Sequence, residues 1–392
     1  MKWQNLTNRI CGSIFALSLL AGLIPATAAS AQKKNGETPL LLKKCWFSAS
    51  EEPARQIFAS DNDLGVFLIK SGGKVASVDL ISGGQIWQSD FGGEIASGLV
   101  ENQGSLFFVT NSSGLSPGKS PFSSLRSISS QTGVAGWTAA LPFSENTYVA
   151  ENGANILAIG AEGLVSSVNK GNGSVLWQTH LNKKLAAAPW TTSASIALAL
   201  EPSEVEVMSP SDGRTLFQMK AEALPTSVYL PDDRTLVWGD KKGNVTAADI
   251  ITKQIRWRFR NGAQVSGVTG AGKNLLVTSY DNFVYMMSPI DGKIFWKRRL
   301  PGRVAEKPVV AAGFAIIAIV GEPGLSFLDL ETGKVLNRLS LDEEDYVIGA
   351  PVAPAGTIIF SKADGVYAYS AGDCGAKEEK RGDQNMPPRS KL

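Results

Sequence analysis

Apolar positions along this chain occur in short runs, separated by turns rich in Gly, Asp, Asn and Ser. Representative runs are Asn274 to Ser279, Phe283 to Ser288 and Ile294 to Leu300. No segment keeps a helical spacing of apolar residues over ten positions, whereas short β-rich runs bounded by turn residues are typical of strands. The pattern therefore predicts an all-β protein.

One template repeats along the chain: an apolar strand, a polar turn that ends in Gly, and an aromatic residue four positions later. The turn positions are 83, 133, 173, 213, 253, 292 and 333, so the period is near forty residues. Lys253 replaces the Gly in one repeat, and Asn337 replaces the aromatic residue in another. Gly at such a turn tolerates the positive φ of a tight hairpin. With the β-rich pattern, this period predicts four-stranded propeller blades, each with a hairpin between its third and fourth strands.

The aromatic residues of this template are expected to fill the wedge between neighbouring blades, which widens away from the axis. A ligand-stacking role is the alternative. The predicted blade-docking aromatics are Trp46, Trp87, Trp137, Trp177, Phe217, Trp257 and Trp296. The first interval between turns is longer than the others because Asn111 to Pro121 adds a loop rich in Gly, Ser and Pro.

The eighth repeat is incomplete in chain order. Val366 to Asp373 matches the third strand and its turn, with Cys374 at the usual Gly position, but no aromatic outer strand follows. Lys44 to Ser48, which contains Trp46, looks like an outer strand with no blade before it. We therefore predict an eight-bladed β-propeller of four-stranded antiparallel blades, in which the N-terminal strand closes the last blade.

Closure by this strand brings Cys45 close to Cys374. In an oxidising compartment, such a pair favours a structural disulfide, with two free thiols as the alternative. A bridge also requires Cα atoms within about 7 Å of each other, which the sequence does not establish.

The chain is expected to divide into four parts: a signal peptide at 1–31, a flexible leader at 32–43, the propeller at 44–375 and a disordered tail at 376–392. Lys2 and Arg9 precede a short apolar stretch, and Ala29-Ser30-Ala31 resembles a cleavage site. A membrane anchor is the alternative, but a spanning helix needs roughly 20 apolar residues. Cys11 lies inside the apolar stretch, so lipidation is not expected.

The net charge of the chain does not indicate a particular class of partner. The chain has 38 Lys and Arg against 36 Asp and Glu, and loss of the signal peptide would bring the net charge to about zero. Nucleic-acid binding needs clustered basic charge, so it is not expected. Partners are expected to bind by local surface, with the propeller itself monomeric.

The repeat resembles that of pyrroloquinoline-quinone-like (PQQ-like) propellers, most clearly in Leu328 to Lys334, Ser288 to Trp296 and Asp249 to Trp257. In size, export signal and blade count, the chain is most similar to the BamB group of that family. This resemblance implies a periplasmic, non-catalytic scaffold in outer-membrane β-barrel assembly. It also implies a protein that has no cofactor and binds envelope proteins near the outer membrane. The alternative is a PQQ-binding oxidoreductase or a ligand-sensing propeller.

No constellation of residues indicates catalysis, cofactor binding or metal binding, and we expect none of these. The resemblance to quinone dehydrogenases with this repeat implies a longer chain and an adjacent pair of cysteines. This chain has no adjacent cysteines. His180 is the single histidine, and Asp232-Asp233 and Glu343-Glu344-Asp345 are expected to be solvated loops. Two basic segments, Asn182 to Leu185 and Lys297 to Leu300, are candidate binding loops, with a solvated rim as the alternative.

Overall fold

The structure, a computed structural model, describes residues 40–60, 65–111, 123–143, 146–304, 307–311, 313–342 and 346–374. The predicted signal peptide and C-terminal tail lie outside these residues. So do Glu343 to Asp345, residues 32–39 of the predicted leader and most of the predicted loop at 111–121.

The described residues form 33 strands and two short 3₁₀ turns, at Ser71–Gly73 and Pro354–Gly356. In chain order the strands are β1 Lys43–Ala49, β2 Gln56–Ala59, β3 Val66–Ile69, β4 Lys74–Val78, β5 Gln85–Asp90, β6 Glu94–Ile95, β7 Val100–Asn102, β8 Ser105–Asn111, β9 Ser123–Ser129, β10 Ala135–Leu141, β11 Thr147–Asn152, β12 Asn155–Gly160, β13 Leu164–Asn169, β14 Val175–His180, β15 Trp190–Thr191, β16 Ile196–Leu200, β17 Glu204–Met208, β18 Thr215–Lys220, β19 Pro225–Asp232, β20 Thr235–Asp240, β21 Asn244–Asp249, β22 Gln254–Arg260, β23 Val265–Ala271, β24 Asn274–Ser279, β25 Phe283–Met287, β26 Ile294–Arg299, β27 Val309–Val310, β28 Phe314–Ala318, β29 Gly324–Asp329, β30 Val335–Ser340, β31 Ile348–Val352, β32 Thr357–Lys362 and β33 Gly365–Ser370.

These strands form eight antiparallel sheets, so the prediction of an eight-bladed propeller is confirmed. Blade 1 contains β2–β5, and blades 3 to 7 contain β11–β14, β15–β18, β19–β22, β23–β26 and β27–β30. Blade 2 has five strands, because β6 and β7 both pair with β8. Blade 8 has the order β1-β33-β32-β31, which places the N-terminal strand outermost and confirms the predicted closure.

The apolar core lies in the middle strands of the blades. All five residues of β16 are buried, whereas exposure alternates with partial burial in the second half of the outer strand β14. A middle strand is covered on both faces by neighbouring blades, and this explains why it consists of continuous apolar residues.

The first strand of each blade lies nearest the axis. First strands of neighbouring blades contact one another, as β2 does with β31 and β19 with β23. Side chains from several blades can therefore meet in the centre. Within the described residues, no helix has the length and hydrophobicity needed to cross a membrane.

Candidate functional site

The closing strand β1 pairs antiparallel with β33, with Trp46 opposite Ala368. The strand begins at Lys43, and Leu40 and Leu42 just before it pack against the apolar cluster of blades 7 and 8. The Sγ atoms of Cys45 and Cys374 lie 2.10 Å apart, with their Cα atoms separated by 5.3 Å. This disulfide occupies the place where a hairpin turn joins the third and outer strands of the other blades.

The predicted aromatics point from each outer strand toward the turn of the next blade. Each of the six Trp residues donates an indole N–H bond to a main-chain carbonyl three residues before the turn position. The pairs are Trp46–Leu80, Trp87–Ser130, Trp137–Lys170, Trp177–Pro210, Trp257–Pro289 and Trp296–Leu330, with distances from 2.8 to 3.2 Å. Each of these rings therefore lies between two neighbouring blades.

The turn glycines lie directly against these indoles. A Cβ atom on Gly83 would lie 2.4 Å from the Trp46 ring, and one on Gly333 would lie 2.5 Å from the Trp296 ring. Phe217 occupies the smaller aromatic slot, in the same buried cluster as Ile250, and the turn that follows Ile250 carries Lys253 at φ 56°. A glycine turn therefore faces each of these Trp rings, whereas the turn with Lys253 is paired with the smaller Phe217 ring.

Blade 7 departs from the template because Asn337 takes the aromatic slot. Its side-chain amide donates a 2.6 Å hydrogen bond to the carbonyl of Leu40. The chain just before the closing strand thus accepts this bond, in contrast to the turn carbonyls that accept the bonds of the Trp residues.

Because the repeated aromatics are occupied by contacts between blades, a binding surface must be sought elsewhere. The outer strands β22, β26 and β30 of blades 5 to 7 carry three, three and one Arg or Lys residues and no Asp or Glu. We call the exposed side of these three strands the cationic outer surface. Its cations are Arg256, Arg258, Arg260, Lys297, Arg299 and Arg338. Arg298 is half-buried on the other face of β26, where its Nε donates a 2.6 Å hydrogen bond to the carbonyl of Gly333.

Part of this charge is neutralised by nearby acidic side chains. Asp249, which is buried, pairs with both Arg256 and Arg234 at 2.7 Å. The Arg256 guanidinium, followed by the backbone N–H of Thr252 and by Arg234, holds the pKa of Asp249 well below its usual range. Arg258 pairs with Glu222 at 2.6 Å. These contacts orient the cations on β22.

Other cations remain available to a partner. Within the described part of the chain, no carboxylate forms an ion pair with Arg260, Arg299 or Arg338. Exposed apolar side chains accompany them: Phe295 on β26 is 52% exposed, and Ile290 in the preceding turn is 78% exposed. A surface with both free cations and exposed apolar groups can bind an acidic protein surface.

The two basic segments singled out from sequence differ in the structure. In the first, Lys183 pairs with Glu204, and Leu185 forms a β-bridge with Leu200, so the segment is held against blade 4. In the second, Lys297 and Arg299 are exposed on β26, whereas Leu300 is buried. Sequence reasoning identified this second segment but missed Arg256, Arg258 and Arg260, which alternate along β22.

Residues considered for chemistry have local structural contacts. Exposed His180 accepts the backbone N–H of Asn182 at Nδ1, 2.9 Å away. Asp232 accepts the N–H groups of Arg234 and Thr235 in its own turn. Within the described ranges, no group of three or more His, Cys, Asp or Glu side chains is arranged to hold a metal ion.

Comparisons with known proteins agree with this architecture. The sequence profile of the family described as "Outer membrane protein assembly factor BamB" matches residues 121–258 and 241–383. The protein of that name from Yersinia pestis is 22% identical over 332 residues, which are 78% of this chain and 82% of the relative. The crystal structure of BamB from Moraxella catarrhalis superposes with a TM-score of 0.62 at 15% identity, covering 84% of this chain and 98% of that one.

A polyvinylalcohol dehydrogenase from a Pseudomonas species is 27% identical over a shorter stretch of 139 residues. This stretch covers 33% of the chain and 22% of the dehydrogenase.

Proposed function

Since this chain belongs to the family of the outer-membrane protein assembly factor BamB, we propose that it is a non-catalytic protein-binding scaffold in the assembly of outer-membrane β-barrels. It works in the periplasm, associated with the outer membrane through protein partners rather than through a lipid. The partner is the barrel-inserting subunit of the assembly machinery, and it docks on the cationic outer surface.

The uneven distribution of charge is the observation that supports this location of the docking surface. The chain as a whole is nearly balanced, yet seven cations and no acid lie on the outer strands of blades 5 to 7. Cations on edge strands also protect against sheet aggregation. Docking differs from this protective role because it requires a specific partner and fails in high salt.

The proposal is tested by crosslinked pull-down of the full chain from cell envelopes. Arg260→Glu/Arg299→Glu should reduce recovery of the barrel-inserting subunit by about tenfold, because both free cations are reversed. Lys241→Glu/Lys273→Glu is the matched control: it makes the same charge change at two exposed turn residues away from the outer strands. Size-exclusion chromatography separates loss of docking from aggregation.

Two results would count against the proposal. If the wild-type chain never recovers the barrel-inserting subunit, the assembly role is wrong. If both double variants recover it equally, the role survives but the assigned surface is wrong. Turnover of alcohols after addition of PQQ and Ca²⁺ would instead favour the quinone-dependent oxidoreductase.

A further inference from the structure

Three side chains from separate blades meet near the axis of the propeller. Trp190 lies on β15 of blade 4, Tyr229 on β19 of blade 5, and Lys307 just before β27 of blade 7. The Trp190 and Tyr229 ring centroids are 4.7 Å apart, and Lys307 Nζ lies 6.0 Å from the centre of the Trp190 ring. We call these three residues the axial cluster.

Blade 6 leaves room for the cluster through two glycines on its first strand, β23. A Cβ atom on Gly270 would lie 2.1 Å from Tyr229 Oη, and one on Gly267 would lie 3.0 Å from Lys307 Cγ. Any side chain at Gly270 would displace the tyrosine. The backbone of β23 therefore allows side chains from blades 5 and 7 to approach each other.

Lys307 is a half-buried cation. Burial lowers its pKa, and no ion pair links it to a carboxylate within the described residues. A partly desolvated ammonium without a counter-ion is less favourable than a paired one, so an anion at this position would be stabilised.

The cluster is nevertheless open to a ligand. All three side chains are partly exposed. Aromatic faces beside a cation provide both apolar contact and charge pairing. A small molecule in the central channel could use both.

We infer that the axial cluster binds an organic carboxylate with a flat apolar body. The Lys307 ammonium pairs with the carboxylate, while the Trp190 and Tyr229 rings contact the body. A cationic ligand is disfavoured because Lys307 already occupies the position over the Trp190 ring. Phosphate is a poorer match. A single lysine would have to balance its negative charge, and phosphate has no apolar surface for the two rings to contact.

The carboxylate belongs either to a free organic acid or to the C-terminus of a polypeptide. Calorimetric titration of the purified chain distinguishes them with four probes: phenylacetate, neutral phenylacetamide, and a short peptide ending in phenylalanine with a free or an amidated C-terminus. Each carboxylate should bind at least about tenfold more tightly than its matched amide. The tighter of the two carboxylates then identifies the source.

Variants test the assigned residues. Lys307→Met should weaken carboxylate binding by about tenfold or more, and Lys307→Arg should largely retain it. Lys241→Met, at an exposed turn, is the matched control. Equal binding of carboxylates and amides to the wild-type chain would overturn the inference even if Lys307→Met fails to fold, as would unchanged binding by a folded Lys307→Met. The cationic outer surface is not involved, so failure here leaves the docking proposal standing.

Discussion

The indole nitrogen of Trp46 donates a 2.8 Å hydrogen bond to the main-chain carbonyl of Leu80. Trp46 lies on the strand that completes blade 8, and Leu80 lies at the turn of blade 1. The ring is therefore closed twice by the same strand: once by backbone pairing with β33, and once by this side chain packed against the next blade.

Trp46→Ala should lower the free energy of unfolding by about 3 to 5 kcal/mol, because it removes a buried ring at the closure. Chemical denaturation followed by circular dichroism measures the loss. Ile86→Ala, at an exposed position on the outer strand of blade 1, is the control and should change stability by less than about 0.5 kcal/mol. Equal effects of the two substitutions would contradict a closing role for Trp46.

The bridge between Cys45 and Cys374 should stabilise the ring by constraining the unfolded chain. Its sequence separation is 329 residues, for which the chain-entropy treatment gives on the order of 5 kcal/mol. A reducing agent should lower the melting temperature of the wild-type protein and leave Cys45→Ser/Cys374→Ser unaffected. The same melting temperature with and without reductant would show that backbone pairing suffices for closure.

Phe217 and the Lys253 turn should be energetically coupled. Phe217→Trp alone should destabilise the protein by about 1 to 3 kcal/mol, because the larger ring meets a turn that carries a Cβ atom. Adding Lys253→Gly should recover stability, since every Trp slot in the described chain faces a glycine turn and Gly also accepts positive φ.

The control for this pair is Phe217→Trp/Lys253→Ala, which keeps the Cβ atom and should not recover stability. The coupling energy comes from the unfolding of four proteins: the wild type, Phe217→Trp, Lys253→Gly and the double variant. This double-mutant cycle should give a coupling energy above about 0.5 kcal/mol. Strictly additive effects of Phe217→Trp and Lys253→Gly on the free energy of unfolding would contradict a match in size between the aromatic residue and the turn residue.

Asp249 should contribute stability that depends on pH. Its folded-state pKa is lowered, mainly by Arg256, so its contribution is present above the unfolded value of about 3.9 and is lost as the pH falls toward the folded value. Asp249→Asn should be less stable than wild type at pH 7, and the difference should narrow below about pH 4. Denaturation at pH 7 and pH 3 measures both. A difference that stays constant with pH would mean that the lost hydrogen bonds, not the charge, dominate.

The blades and their number could be predicted from the sequence because each repeat is specified locally. The turn, the middle strands and the following Trp lie within about twenty residues. The runs Asn274 to Ser279, Phe283 to Ser288 and Ile294 to Leu300 agree with β24, β25 and β26 to within one residue at each end. The closing strand was also predictable, since an orphan Trp46 segment matched a repeat that lacked its outer strand.

The arrangement of charge and the axial cluster required the folded ring. Arg256, Arg258 and Arg260 alternate within one strand. The cations of β26 and β30 belong to later repeats and share a surface with them only because blades 5, 6 and 7 follow one another in the ring. No shared motif marks Trp190, Tyr229 and Lys307. The repeat template specifies the contacts between blades at the turn and the outer strand, and positions that face the axis take no part in those contacts. Local sequence determines how each blade forms, whereas the closed ring determines which side chains from distant blades face one another.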